Sequence, residues 1–157
     1  MWFLGIDPGK TGGIAWFDDD SRQVHVVKMP ATYRDVWRAI ANPPGDDWLP
    51  STSLRACIER ATGMIKGARG VQGIVSLRES YGACGMALTA ADIRFERVAP
   101  VVWQRGFGLL RIDKKETDTH KKNRHKQKAQ ELFPQVKVTH AIADALLLME
   151  YARRSMG

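Results

Sequence analysis

The first thirty residues alternate between short apolar runs and polar breaks, a pattern typical of β-strands joined by tight turns. Strand patterns cover residues 2–7, 12–17 and 23–29, and Asp18-Asp19-Asp20-Ser21 supplies a turn between the second and third strands. The pattern predicts a meander of three strands.

Helical and strand patterns alternate along the rest of the chain. Helices are predicted at 31–41, where Val36, Trp37 and Ile40 recur at helical spacing, and at 74–91; strands are predicted at 54–59 and 93–98. Residues 100–108 fit a short turn or the start of a helix. Residues 111–128 predict a partly disordered basic segment that runs into a helix ending at Phe133-Pro134. A last helix follows Thr139, a suitable N-cap.

The sequence contains no repeat and no sign of a domain boundary, so residues 1–157 are predicted to form one α/β domain. Lys and Arg outnumber Asp and Glu by 24 to 17, and a net charge of +7 favours a polyanionic partner, nucleic acid first. No apolar run reaches the roughly 18 residues of a membrane span, so no membrane partner is expected. A strand pattern directly after Met1 and two apolar-flanked cysteines, Cys57 and Cys84, favour a cytoplasmic protein with core thiols.

The stretch "GIDPGKTGG" looks like a nucleotide-binding loop but differs from one in two respects. The first glycine of a Walker motif would have to stand at Leu4, and a strand pattern rather than a helix follows Thr11. What remains is Asp7, a carboxylate at the end of an apolar strand, which is a suitable place for a metal ligand.

Two further acids lie at comparable places. Glu59 ends the predicted strand 54–59, and Asp144 stands on an apolar face of the last helix. If strands 2–7 and 54–59 run parallel and adjacent, Asp7 and Glu59 meet at one sheet edge, and the closing helix can bring Asp144 to them. Three carboxylates would repel one another unless a divalent cation lay between them. Singly, Asp7 could be a turn residue, Glu59 a partner of Arg60, and Asp144 an acid favoured by the helix dipole.

The motifs "FLGIDPGKTGGIAW", "ACIE" and "ADALLL" together resemble the RuvC-type Holliday junction resolvases of the RNase H superfamily, over nearly the whole chain. A Gly-rich basic loop after the glutamate, a "P..W" and an "LFP" resemble the phage and chloroplast branch. The resemblance implies an RNase H-like mixed five-stranded sheet, an antiparallel meander plus parallel strands, flanked by helices. It also implies a homodimer that nicks two symmetric strands of four-way DNA junctions, leaving 5′-phosphates. By motif match Asp7, Glu59 and Asp144 would hold Mg²⁺, for which Mn²⁺ would substitute.

The resemblance departs from the family in two places. These resolvases commonly carry an acid three residues before the last aspartate, where this chain has Ala141, and His140 lies one position further back on the same helical face. His140 is therefore a candidate fourth catalytic and metal-ligating residue; otherwise it is an exposed residue at a helix start. Thr62 replaces an aromatic residue found after the glutamate, so Met64 or Ile65 would have to unstack bases.

Basic residues are predicted to neutralise DNA phosphates without reading sequence. They lie in a mobile Gly-rich loop after Glu59 and in the charged segment: Lys66, Arg69, Lys114, Lys115, Lys121, Lys122, Arg124, Lys126 and Lys128. Helix 74–91 is the predicted dimer contact, because its small residues Gly82, Ala83, Gly85 and Ala87 permit close approach.

Two other functions stay open: an RNase H-like nuclease acting on hybrids or flaps, and a non-catalytic basic nucleic-acid-binding module. Sugar-kinase-like and actin-like ATPases also use a "GIDxG" loop, but they need two such domains and far more than 157 residues.

Overall fold

The fold is taken from a computed structural model that describes residues 1–42, 51–61 and 70–157. The described residues form strands β1 (Trp2–Asp7), β2 (Gly13–Asp18), β3 (Val24–Lys28), β4 (Leu54–Glu59) and β5 (Arg94–Val98). Their helices are α1 (Tyr33–Ala41), α2 (Val71–Ala90), α3 (Pro100–Gly106), α4 (Asp118–Leu132) and α5 (His140–Met156).

The five strands form one mixed sheet in the order β3-β2-β1-β4-β5. The β1, β2 and β3 strands pair antiparallel as the predicted meander, whereas β4 pairs parallel to both β1 and β5. The β1–β4 register pairs Ile6 with Ile58, so Asp7 and Glu59 each follow that pair by one residue. The two strands are thus parallel and adjacent, which was the condition for Asp7 and Glu59 to meet at one sheet edge.

Side chains alternate between the two faces of the sheet, and each face is covered by helices. Leu4, Ile6 and Ile58 belong to the core shared with α1 and α2, whereas Phe3 and Cys57 belong to the core shared with α3, α4 and α5. Because successive residues of a strand point to opposite faces, Asp7 and Glu59 fall on the face of Phe3 and Cys57. Both acids therefore end their strands on the side covered by α5.

Two strand glycines let α5 approach the sheet backbone. A Cβ on Gly5 would collide with the backbone of Ala145 and Met149, and one on Gly13 would lie 2.9 Å from the carbonyl oxygen of Ala141. The helix crosses the sheet over β1 and β2 and is buried along most of its length, from Ile142 to Ala152. The close approach of α5 to the sheet therefore sets the position of Asp144 relative to the end of β1.

The prediction for the basic segment was wrong in extent. Helix α4 begins at Asp118, because Thr117 caps it by accepting a hydrogen bond from the His120 amide. The residues before it form a turn in which Glu116 pairs with Arg124 and accepts the Ile112 amide, at 2.8 and 3.1 Å. The predicted end of this helix at Phe133 is confirmed.

Other predictions agree with the described residues to within a few positions. Residues 100–106 form the short helix α3, and Thr139 stands at the N-cap of α5, although its side chain makes no capping hydrogen bond. Cys57 and Cys84 are buried free thiols. None of the helices in the described ranges has the length and apolarity needed to cross a bilayer.

Candidate active site

Asp7 ends β1 opposite Gly13 of β2, and the chain turns back sharply just beyond it. Gly9 has a φ of +111°, a backbone conformation that glycine adopts readily, and its amide donates to Ser80 Oγ on α2 at 2.9 Å. A Cβ on Gly12 would collide with the Asp7 carbonyl oxygen. The loop therefore leads into a strand, as predicted, and not into a phosphate-binding helix.

Glu59 ends β4, and its carboxylate meets a tryptophan from α3. Trp103 Nε1 donates to Glu59 Oε2 at 2.8 Å, and the ion pairs of the described residues include none between Glu59 and Arg60. Burial, followed by the negative charge of Asp144, raises the pKa of Glu59 from 4.5 to about 7, against the opposing effects of the Trp103 hydrogen bond and the Lys121 charge. Burial and a neighbouring negative charge both disfavour the ionised form of a carboxyl group, which is why the pKa of Glu59 is raised.

Asp144 is half-buried, and its partner is a histidine that sequence reasoning missed. His125 Nδ1 lies 2.7 Å from Asp144 Oδ1, and the His125 side chain is only 4% exposed. The His125 ring meets the ring of Trp103 edge-on, with centroids 5.4 Å apart. The sequence carries little signal for it, because His125 stands among charged residues, and only the structure shows that His125 and Ala129 form the buried face of α4.

A cavity of about 720 Å³ brings the predicted acids together. Asp7, Glu59 and Asp144 all line it, and so do the following cationic or imidazole residues: Lys10, Lys122, His125 and His140. Within the described residues, no group of three or more His, Cys, Asp and Glu side chains is placed so that it could hold a metal ion. The three acids thus share one cavity without forming a ready-made ligand cage.

His140 lies at the first position of α5, on the rim of this cavity, and is largely exposed. Its Nε2 lies 2.9 Å from Asn123 Oδ1 on α4. Because an amide oxygen only accepts, Nε2 donates in this contact.

The predicted DNA-binding residues lie in several settings. Lys122 lines the cavity, and the charge of Lys121 lowers the pKa of Glu59. Arg124 instead forms an ion pair with Glu116, and Lys128 forms one with Glu131. Lys114, Lys115 and Lys126 are exposed away from that cavity. Lys66 and Arg69 lie outside the described residues, as do Thr62, Met64 and Ile65.

Solved structures with a similar fold include RuvC from Thermus thermophilus. T. thermophilus RuvC in complex with Holliday junction substrate has a TM-score of 0.61 at 14% identity, over 99% of this chain and 97% of that chain. A second T. thermophilus RuvC structure has a TM-score of 0.58 at 14% identity, over 98% of this chain and 96% of that one. No protein-family model matches the sequence, and no curated protein does.

At this level of identity the comparison shows the fold. The mixed five-stranded sheet flanked by helices is RuvC-like and belongs to the RNase H-like class, as predicted. The likeness to the phage and chloroplast branch stays a prediction.

Proposed function

We propose that this protein is a divalent-metal-dependent endonuclease that resolves four-way DNA junctions by paired nicks. The observation that carries the proposal is the meeting of Asp7 from β1, Glu59 from β4 and Asp144 from α5 around one cavity in a RuvC-like fold. One such neighbour is described in complex with a Holliday junction substrate, which is why we choose this substrate class over others.

The three acids suit Mg²⁺ or Mn²⁺ in their chemistry. Carboxylate oxygens are the ligands these hard cations prefer. Burial and the charge of Asp144 make ionisation of Glu59 unfavourable and raise its pKa to about 7. A bound cation would offset this unfavourable term by stabilising the ionised carboxylate. Asp7, Glu59 and Asp144 would hold the metal, which when bound activates water and stabilises the leaving oxygen. His140, on the rim of the cavity, is the candidate either to bind the metal as a further ligand or to take a proton from the attacking water.

Cationic side chains at the cavity would hold the DNA backbone. Lys10 and Lys122 line it, and the charge of Lys121 reaches Glu59. A phosphodiester placed over the acids would otherwise be repelled by them, so these lysines allow a polyanion to approach. Such contacts provide affinity but carry no sequence information.

Paired nicks need two active sites, and α2 offers a surface for a second copy. Val71, Val75 and Met86 are exposed on one face of the helix at spacings close to whole turns, and Met86 is 67% exposed. Gly82 lies on the same face, with open space around its Cα. A second α2 can pack closely at such a face, which supports the homodimer.

The test is incubation of the protein with a labelled four-way junction, a linear duplex of the same sequence, a flap and an RNA/DNA hybrid, each with Mg²⁺ or EDTA. The proposal predicts symmetric nicks in the junction alone, in Mg²⁺ alone, with ends that ligase reseals. Preferred cutting of the hybrid or flap would contradict junction resolution and favour the alternative, an RNase H-like nuclease acting on those substrates. Junction binding without cutting in Mg²⁺ or Mn²⁺ would favour the non-catalytic binding module.

A further inference from the structure

We infer that His125 is a positioning residue: its imidazole fixes the Asp144 carboxylate in the orientation that binds the divalent cation. The inference rests on the proposed function, because it concerns the same site. It adds a residue of α4 to the three candidate metal ligands, which come from β1, β4 and α5.

The first step is the hydrogen bond between His125 and Asp144. Nδ1 lies 2.7 Å from Asp144 Oδ1, and Nε2 is buried without a hydrogen-bond partner among the described residues. A carboxylate accepts, so Nδ1 carries a proton. The geometry therefore makes His125 a donor to Asp144 through Nδ1.

The second step is the support of the ring itself. His125 is buried, and its edge-on contact with the fully buried Trp103 places it against α3. Trp103 in turn donates to Glu59. Two of the three acids are thus each held by a buried aromatic or imidazole N–H donor, and the two donors contact each other.

The third step is the consequence for Asp144. The carboxylate of a short side chain can rotate. The hydrogen bond from His125 restricts this rotation by fixing Oδ1, and it leaves Oδ2 available to a cation. Ligating carboxylates in metal sites are commonly held by such hydrogen bonds, and removing the partner typically lowers metal affinity by about 10- to 100-fold.

The experiment compares variants that separate the donor from the volume of the ring. His125→Asn places an amide N–H near the position of Nδ1 but loses volume, whereas His125→Leu keeps volume and loses the donor. His125→Gln is polar but carries its amide near Nε2. Each variant is titrated with Mn²⁺ by calorimetry without DNA, beside the wild type and Asp144→Asn, and its unfolding temperature is measured in EDTA.

We expect His125→Leu and His125→Gln to bind Mn²⁺ about 10- to 100-fold more weakly than the wild type, and His125→Asn to stay within a few-fold of it. Wild-type affinity in His125→Leu, or equal losses in His125→Asn and His125→Leu, would overturn the inference. If His125→Leu does not fold, the comparison of His125→Asn with His125→Gln decides in the same way. This result differs from a failure of the proposed metal site itself. In that case Asp144→Asn would bind Mn²⁺ with the same affinity as the wild type.

Discussion

Glu59 is the residue whose environment most shapes the chemistry of the site. Its carboxylate accepts the Trp103 N–H, yet burial and the neighbouring Asp144 charge raise its pKa from 4.5 to about 7. The protonated form is therefore favoured in the folded protein more than in the unfolded chain. The folded protein binds more protons than the unfolded chain between these two pH values.

This difference predicts how the stability of the metal-free protein depends on pH. The contribution of Glu59 is present below about pH 4.5 and is lost as the pH rises through about 7. Thermal unfolding in EDTA should therefore show a larger fall in stability from pH 5 to pH 8 for the wild type than for Glu59→Gln, which keeps an acceptor for Trp103. Identical pH dependence in the two proteins would contradict the assignment.

His140 is the residue at which the resemblance is weakest, and its role can be tested separately. If its imidazole assists the attacking water, His140→Ala should lower the nicking rate by about 100-fold or more and leave junction affinity unchanged. His140→Asp should restore part of the rate in Mg²⁺. Single-turnover cleavage measures both. A wild-type rate in His140→Ala would show that this residue only begins a helix.

The sequence predicts the three candidate acids that line the cavity, but not the groups beside them. Asp7 and Glu59 were identified because each ends an apolar strand, and Asp144 because it interrupts an apolar helix. The partners His125 and Trp103 lie 19 and 44 residues from the acids they contact. Such pairs are set by how α3 and α4 pack, which no local periodicity specifies.

At the scale of elements, the contact of α5 with β1 positions the site. Gly5 makes this contact possible, because any Cβ there would strike the backbone of Ala145 and Met149, next to Asp144. The strand itself was predictable from its apolar run, but the closeness of the helix was not, since a glycine within a strand does not reveal which element approaches it.

This contact predicts different effects for two glycine substitutions. Gly5→Ala should destabilise the fold by about 1–3 kcal/mol, because the helix must shift to accommodate the methyl group, and it should reduce nicking by displacing Asp144. Gly106→Ala, in α3 and away from the proposed dimer face, would bring its methyl group no closer than 4.0 Å to Tyr151 Cδ2, so it should be neutral or stabilise by less than about 1 kcal/mol. Denaturant unfolding measures both. Equal effects of the two changes would contradict this view of α5.

The segment before and within α4 shows where element prediction failed. Its density of Lys and Arg indicated partial disorder, yet the Thr117 cap and the Glu116–Arg124 pair give it a helix and a closed turn. A capping residue and an ion pair eight residues apart are weak signals among so many charges. As a consequence Arg124, predicted to bind DNA, is already engaged by Glu116.

At the scale of the whole molecule, the proposed paired nicks need two copies of the chain. Met86→Glu would place a charge in the exposed apolar face of α2, so it should shift the protein from dimer to monomer at micromolar concentration. Val101→Glu, at a residue of α3 that is 49% exposed, is the matched control and should stay dimeric. Sedimentation velocity distinguishes the two. A wild type that is monomeric while it cuts both strands symmetrically would contradict the dimer.

The most direct measurement of the central claim is junction nicking and junction binding in one set of variants: Asp7→Asn, Glu59→Gln and Asp144→Asn. The account predicts that each variant loses nicking in Mg²⁺ and still binds the four-way junction, because the acids hold the metal whereas basic side chains bind the phosphates. Full nicking activity in any of the three variants, or nicking by the wild type in EDTA, would contradict it.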